Sequence, residues 1–205
     1  MTEHLTYALT VFTGFFAIMN PIANTPIFLG LVDNKDEETK RKIARTSTLT
    51  AFIIVFAFII LGKYIFEIFS ITIPAFKITG GILIFYVGFE MLMSQKSKVH
   101  NTKNDPDEDS IAISPLAIPI LAGPGTIVTA MNFASNASLF HVTIVVVDFA
   151  LIVLLTYIAF RLSDKIVKKI GQNMIAVISK IMGLIIGIIG TGMVVEGIKL
   201  SFNLK

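Results

Sequence analysis

Long apolar segments alternate with short polar ones along the whole chain. Each apolar segment is close to the roughly 20 residues that a helix needs to cross the hydrocarbon core of a bilayer. Their approximate bounds are Leu5–Leu31, Thr48–Phe69, Ala75–Met93, Ile111–Ala134, Val142–Phe160 and Ala176–Ile198. We therefore predict an all-α bundle of six transmembrane spans.

Two of the six segments contain a matched pair of prolines. The first segment holds Pro21 and Pro26 and the fourth holds Pro119 and Pro124, each pair within the pattern P-I-x-x-x-P. A proline removes a backbone donor and clashes with the preceding turn, so such a pair should interrupt a helix. Backbone groups freed at bilayer depth persist only where protein buries them or where they line a wet cavity. We predict that spans one and four are broken helices that form one shared site.

The chain divides into two similar halves around a polar linker at residues 95–110. Residues 1–94 and residues 111–205 each hold three spans, with the proline pair in the first span of each half. Lys77-Ile78-Thr79-Gly80 at the start of span three also matches Lys180-Ile181-Met182-Gly183 at the start of span six. Because three is an odd number, the second half must enter the membrane from the opposite side. The predicted fold is thus two inverted three-helix repeats.

The basic residues predict the orientation of the chain. Of the 17 lysines and arginines, only Lys63, Lys77, Lys199 and Lys205 lie away from the loops after spans one, three and five and their flanks. The positive-inside bias then places the linker in the cytoplasm and both termini outside a cell membrane. The net charge of +3 is explained by this orientation, so we predict the lipid bilayer as partner and no nucleic acid.

The composition argues against several classes of chemistry. With no cysteine, the chain has no thiol nucleophile, disulfide or thiolate metal site. The three histidines, His4, His100 and His141, are widely separated along the chain and predict no metal cluster. No H-E-x-x-H motif, paired intramembrane aspartates or cofactor box occurs. We therefore expect neither an enzyme nor a cofactor, although an intramembrane enzyme is the second class considered.

Polar and glycine residues at the proline pairs suggest what the shared site binds. Glycines allow close approach to the backbone, and the N-terminal ends of resumed half-helices favour a carboxylate. Exposed carbonyls at the other half-helix ends suit an ammonium group, so a small amphoteric solute such as an amino acid would fit. The competing interpretation is a pair of kinks whose polar side chains only repair broken backbone bonds. The predicted substrate-binding residues are Asn20, Pro21, Asn24, Thr25, Pro26, Pro119, Gly123, Pro124, Gly125 and Thr126.

Ionisable residues within the spans are the remaining candidates. Asp148 lies on the order of 9 Å inside span five and is the candidate site for a coupling cation or proton. A structural carboxylate that accepts from a neighbouring hydroxyl is an equal alternative. Lys77 lies in a first helical turn and is expected to bind headgroups or a partner carboxylate. Before span two, Asn34 and Glu37 resemble a capping box and predict a short solvated helix.

Glycines are frequent in spans three and six. Gly183 and Gly187 form a G-x-x-x-G, the spacing of close helix contacts in membranes. We expect these glycines to pack spans three and six against the broken helices. A dimer face is the other possibility, so a homo-oligomer is left open.

Several runs resemble motifs of the MarC family of bacterial and archaeal inner-membrane proteins. In the first half they are Asn20-Pro21-Ile22, Pro26-Ile27-Phe28-Leu29 and Phe76-Lys77-Ile78-Thr79-Gly80-Gly81-Ile82-Leu83. In the second half they are Pro115-Leu116-Ala117-Ile118-Pro119-Ile120-Leu121-Ala122-Gly123-Pro124-Gly125-Thr126 and Lys180-Ile181-Met182-Gly183-Leu184. The resemblance implies six spans, kinship with LysE-type exporters, and transport of small neutral amino acids coupled to protons or sodium.

The chain departs from the family pattern at presumed cavity positions. Ala23 and Asn24 stand where the family often has Gly then Ala, and Gly192 stands where Gln is common.

The broken helices and the inverted repeats together predict a secondary transporter that works by alternating access. A channel, an exporter of another small metabolite, or a non-transporting membrane partner protein is the alternative.

Overall fold

A computed structural model describes residues 2–32, 35–93, 112–135 and 137–203, and within these ranges the chain is helical with no strand. The helices are α1 (Thr2–Met19), α2 (Thr25–Val32), α3 (Glu37–Ile68), α4 (Ile73–Leu92), α5 (Ala112–Leu121), α6 (Pro124–Ala134), α7 (Leu139–Arg161), α8 (Ser163–Ile170) and α9 (Gln172–Phe202). The predicted all-α class is confirmed. The linker at residues 95–110 lies outside the described residues.

Within the described ranges, four uninterrupted helices are long and apolar enough to cross a membrane. These stretches are Glu37–Gly62 of α3, Ile73–Leu92, Leu139–Arg161 and Asn173–Phe202. They correspond to predicted spans two, three, five and six. Predicted spans one and four are instead each divided into two helices, α1 with α2 and α5 with α6, so the predicted interruptions are confirmed.

The second interruption does not begin at the predicted proline. Pro119 lies within α5, which is wound as a π-helix, and the helix continues to Leu121. The wider winding is visible where Ala122 N donates to Ala117 O at 2.8 Å, five residues back. The break therefore falls at Ala122 and Gly123, and Pro124 opens α6. Proline is tolerated at a first helical position because its missing N–H would have no partner there.

The start of α3 also differs from the prediction. Asn34 lies outside the described residues, and the cap of the helix is Asp36, whose Oδ1 accepts from Thr39 N at 2.8 Å. Hydrogen bonds from the Thr39 side chain and backbone hold the pKa of Asp36 below its ordinary value. From Glu37 the polar turns continue without a break into the apolar part of α3. The predicted short solvated helix leading into span two is thus the start of α3, and its cap is Asp36.

Helices α4 and α9 form an antiparallel pair held by glycines. A β-carbon on Gly81 would lie 2.6 Å from Gly190 O, and one on Gly88 would lie 2.5 Å from Gly183 O. At this distance the two backbones touch, as expected for helix association in lipid. The prediction that glycines of spans three and six pack against the broken helices holds for Gly80, which meets Val128 of α6, whereas the glycines named here pack α4 and α9 against each other. Lys77 also forms an ion pair with Glu196 across the pair, so its predicted carboxylate partner is found.

Helices α1, α3 and α7 enclose the main core. Phe15 of α1 lies 4.9 Å from Phe149 of α7, measured between ring centroids, and Phe52 of α3 stacks on the same ring at 6.0 Å. Phe28 of α2 stacks on Phe160 near the end of α7 at 4.5 Å. Both halves of the first broken span are therefore packed along α7.

Candidate functional site

The first break begins at a left-handed residue. Asn20 has φ +41°, a conformation that asparagine tolerates better than most residues, and it directly precedes Pro21. Its N–H still donates to Phe16 O at 3.0 Å, which completes the last turn of α1. The chain then turns through residues 20–24 before α2 begins at Thr25. The sequence places the residue best suited to this conformation where the helix ends.

Two of the predicted binding residues repair the broken backbone. Asn24 Nδ2 donates to Met19 O at 2.8 Å, and Thr25 Oγ1 donates to Ile22 O at 2.7 Å. A continuing helix would direct Ala23 N to Met19 O, but Ala23 N donates to Asn20 Oδ1 instead, whereas Ile22 O also accepts from Thr25 N at 3.2 Å. These bonds support the repair interpretation for Asn24 and Thr25, and their role in binding stays a prediction.

Asn20 keeps an unused donor. Its Oδ1 accepts from Ala23 N at 3.4 Å, while its Nδ2 is buried and has no hydrogen-bond partner among the described residues. The whole side chain is only 3% exposed. An unpaired buried amide costs about 1–3 kcal/mol. A ligand group that accepts from Nδ2 would recover this cost.

The second break exposes backbone donors. Gly123, with φ −74° and ψ 169°, precedes α6 without any side-chain cap, and Pro124 has no N–H to offer. The next N–H groups, those of Gly125 and Thr126, belong to the first helical turn, whose amides lack intrahelical partners. The positive end of the α6 dipole lies at the same point, so an anionic group would be stabilised there. The Pro119 side chain lies outside the described side chains.

The two breaks lie next to each other. A β-carbon on Gly125 would lie 3.0 Å from Ile18 Cδ1, two residues before Asn20. Further along the same helices, a β-carbon on Gly14 would lie 3.0 Å from the ring of Phe133. The two contacts make α1 and α6 antiparallel. The end of α1 thus meets the start of α6, as the shared-site prediction requires.

Glycines on two other helices also receive side chains of α6. Val128 Cγ1 lies against the position of a β-carbon on Gly80 of α4, and Met131 Cε lies 3.3 Å from that on Gly62 of α3. Together with Gly14 of α1, one glycine from each of three helices therefore packs against a side chain of α6. Sequence analysis missed this arrangement, because nothing in a lone glycine identifies the side chain it receives.

A cavity lies beyond the breaks. It has a volume of about 870 Å³ and is bounded by the end of α3, the α3–α4 turn, α6 and the start of α7. Its polar lining includes Glu67, Ser70, Thr72 and Ser135, and none of the ten predicted binding residues belongs to its lining. Met131, which also lines it, is roughly 9 Å from Gly125 along α6. The cavity and the second break are thus less than two helical turns apart along α6.

A smaller cavity of about 290 Å³ lies between α1, α6 and α9. Thr10, Thr13 and Thr129 are among its lining residues, with Asn132. Asn132 Oδ1 is buried without a hydrogen-bond partner in the described part of the chain.

Asp148 is buried on the inner face of α7. The side chain is 8% exposed, its Oδ2 has no partner among the described residues, and it lies within electrostatic range of Tyr7. Because Phe15 contacts Phe149, Asp148 is at the level of the middle of α1. It is therefore roughly 8 Å from Asn20 along that helix axis, on a different helix from either break.

Comparison with known proteins identifies the family. The family model described as "MarC family integral membrane protein" matches residues 5–202. The chain belongs to the MarC family. It is 37% identical to the UPF0056 membrane protein YvbG of Bacillus subtilis over 198 residues, covering 94% of both chains. It is 35% identical to a UPF0056 membrane protein of Pyrococcus horikoshii, covering 100% of both.

A third MarC-type relative comes from Escherichia coli. The UPF0056 membrane protein YhcE is 32% identical over 196 residues, which is 92% of this chain and 90% of the relative. No solved structure matches the chain. The resemblance predicted from the proline and glycine motifs is therefore confirmed, and the protein is an integral membrane protein.

Proposed function

We propose that this protein is a secondary transporter of small solutes that binds its substrate where the two broken helices meet. The observation that carries the proposal is the contact of Ile18 with Gly125, which brings two features to one region: Asn20 Nδ2, a donor without a partner among the described residues, and the uncapped start of α6. Unpaired backbone inside a membrane is tolerated where it serves a binding cleft. We propose that solute reaches this region through the 870 Å³ cavity, which Met131 of α6 lines on the side where α3 and α6 end.

Helix directions support a fold of two inverted three-helix repeats. α1 and α7 run parallel, since Tyr7 contacts His141 and Phe15 contacts Phe149 at the same offset. α4 and α9 run antiparallel, as do α1 and α6. These directions are the ones expected if residues 1–94 and 111–205 each cross three times with opposite topology.

We infer small neutral amino acids as the substrate class, with protons or sodium as the coupling ion. The uncapped turn at Gly125 and Thr126 suits a carboxylate, and Asn20 Nδ2 offers it a side-chain donor. Asp148 is the candidate for the coupling cation, because its Oδ2 is buried without a partner among the described residues and an ionisable group buried in a span is costly unless it is paired. An exporter of another small metabolite would use the same region.

Uptake by purified protein in liposomes tests the proposal. We expect labelled glycine or alanine to accumulate saturably under an imposed proton or sodium gradient, and to exchange in counterflow. Protein-free liposomes provide the control for leakage. Flux without saturation or counterflow would indicate a channel, and no flux of either amino acid would contradict the proposed substrate class.

The orientation is tested separately. We propose that the protein lies in the cell membrane with both termini outside and the linker at 95–110 in the cytoplasm, on the basis of its lysines and arginines. A reporter fused after Lys205 should therefore be active only outside. Activity in the cytoplasm would overturn this orientation.

A further inference from the structure

Two histidines that are 137 residues apart meet at one end of the bundle. His4 is in the first turns of α1 and His141 is in the first turn of α7. His4 Nδ1 lies 3.3 Å from His141 Nε2. The pair is exposed, and its rings are held by edge contacts with Phe140 and Tyr7. Their distance along the chain gave no indication of this contact.

The separation of the two nitrogens matches that of two ligands on one metal ion. Zinc binds histidine nitrogen at about 2.0–2.1 Å with tetrahedral angles, which places two such nitrogens about 3.3 Å apart. Imidazole also suits copper and nickel. The described residues contain no group of three or more His, Cys, Asp or Glu side chains able to hold a metal. A metal here would therefore complete its coordination with water.

The orientation of His141 is fixed by a neighbouring side chain. Its Nδ1 lies 2.9 Å from Ser138 Oγ, and the same oxygen caps α7 by accepting from His141 N at 3.3 Å. With Nδ1–H donating to Ser138, Nε2 carries the lone pair and faces His4. A partner that fixes the second ring nitrogen in this way is typical of metal-binding histidines.

We propose that His4 and His141 form a binding site for one divalent transition metal ion, with Zn²⁺ as the probe, that joins the starts of α1 and α7. Both side chains bind as neutral imidazoles through His4 Nδ1 and His141 Nε2, and Ser138 positions the second ring. The site does not depend on the proposed transport function.

Zinc titration of the full-length protein in detergent tests the site. The protein is purified through a tag without histidine and is stripped with a chelator before calorimetry. We expect one saturable site, weakened at least tenfold in both His4→Ala and His141→Ala. Substitution with Co²⁺ should give the visible absorption bands of a four-coordinate ion, and these should be absent from both variants.

His100→Ala is the matched control, because His100 is the third histidine of the chain. It should bind zinc as the wild type does. His141→Gln preserves a polar side chain at the helix start and should also lose zinc, while thermal unfolding without metal checks that each variant is folded. No saturable binding by the wild type, or equal affinity in folded His4→Ala and His141→Ala, would overturn the site.

Discussion

The side chain of Ile18 occupies the space beside Gly125 that a β-carbon would need, with Cδ1 at 3.0 Å and Cγ1 at 3.3 Å from that position. Ile18 is in the last turn of α1 and Gly125 is in the first turn of α6, so the contact joins the two broken spans. We expect Gly125→Val to force α1 and α6 apart. Overpacking of this kind lowers the free energy of unfolding by about 1–3 kcal/mol, and solute flux in liposomes should fall with it.

A compensating substitution separates this clash from other effects. Ile18→Ala in the Gly125→Val background should restore part of both stability and flux, because it removes the atoms that collide. Gly30→Ala provides the control, since nothing lies within 4 Å of a β-carbon there. Wild-type flux in Gly125→Val alone would show that the contact is dispensable.

Asn20 combines a backbone role with an unused side-chain donor, and two substitutions separate them. Asn20→Gly tolerates φ +41° and removes the amide, so the fold should be kept. If Nδ2 binds substrate, transport affinity should fall about 2- to 10-fold, the value of one hydrogen bond. Asn20→Leu should lower the transport affinity by the same factor. It should also lower the free energy of unfolding by about 1–2 kcal/mol more, because leucine is strained in the left-handed backbone conformation.

For the Asn20 variants, the concentration dependence of uptake measures the transport affinity. Thermal unfolding measures their stability. Asn24→Ala is the useful comparison, since its amide already donates to Met19 O. Asn24→Ala should lower the free energy of unfolding by about 1–3 kcal/mol, because it leaves the Met19 carbonyl without this donor. Unchanged affinity in both Asn20 variants would place the ligand elsewhere.

The presence of both breaks could be predicted because each has a local cause. Proline removes a donor whatever surrounds it, so the interruptions near Pro21 and Pro124 follow from the sequence alone. The role of Pro119 could not be predicted, because π-winding carries α5 past it. Likewise, Asn24 could bind a ligand or donate to the Met19 carbonyl. The direction of its side chain decides between these, and the spacing of residues in the sequence does not determine that direction.

Features formed by distant segments left no signal in the sequence. The 870 Å³ cavity is lined by residues from Phe58 to Val142, and the histidine contact joins residues that are 137 positions apart. Helix α8 was also missed, since its short run of lysines with Ile166 and Val167 looks like a polar loop beside span five. Predicting such features requires knowledge of which helices are neighbours.

Glycines on one helix should differ sharply in their tolerance of alanine. A β-carbon on Gly190 would lie 2.5 Å from Phe85 N and 2.6 Å from Gly81 O, and backbone atoms cannot move aside like a flexible side chain. Gly190→Ala should therefore separate α4 from α9 and lower the free energy of unfolding by about 1–3 kcal/mol. Gly192→Ala, with nothing within 4 Å, should be neutral or stabilising by up to about 1 kcal/mol.

Thermal unfolding in detergent compares the two glycine variants directly. They lie two residues apart on α9, so bilayer depth and helix propensity are nearly the same. Equal stability of Gly190→Ala and Gly192→Ala would contradict the backbone contact between α4 and α9.

Asp148 is the remaining residue whose role a single substitution can test. Its carboxylate is 8% exposed with Oδ2 unpaired among the described residues, and asparagine has nearly the same shape but does not titrate or carry charge. If Asp148 binds the coupling ion, Asp148→Asn should stay folded and still exchange labelled alanine in counterflow, because exchange needs no net driving force. Accumulation under an imposed proton or sodium gradient should be lost. Asp148→Glu, which keeps the charge, should retain part of that accumulation. Full gradient dependence in Asp148→Asn would instead make Asp148 a structural carboxylate.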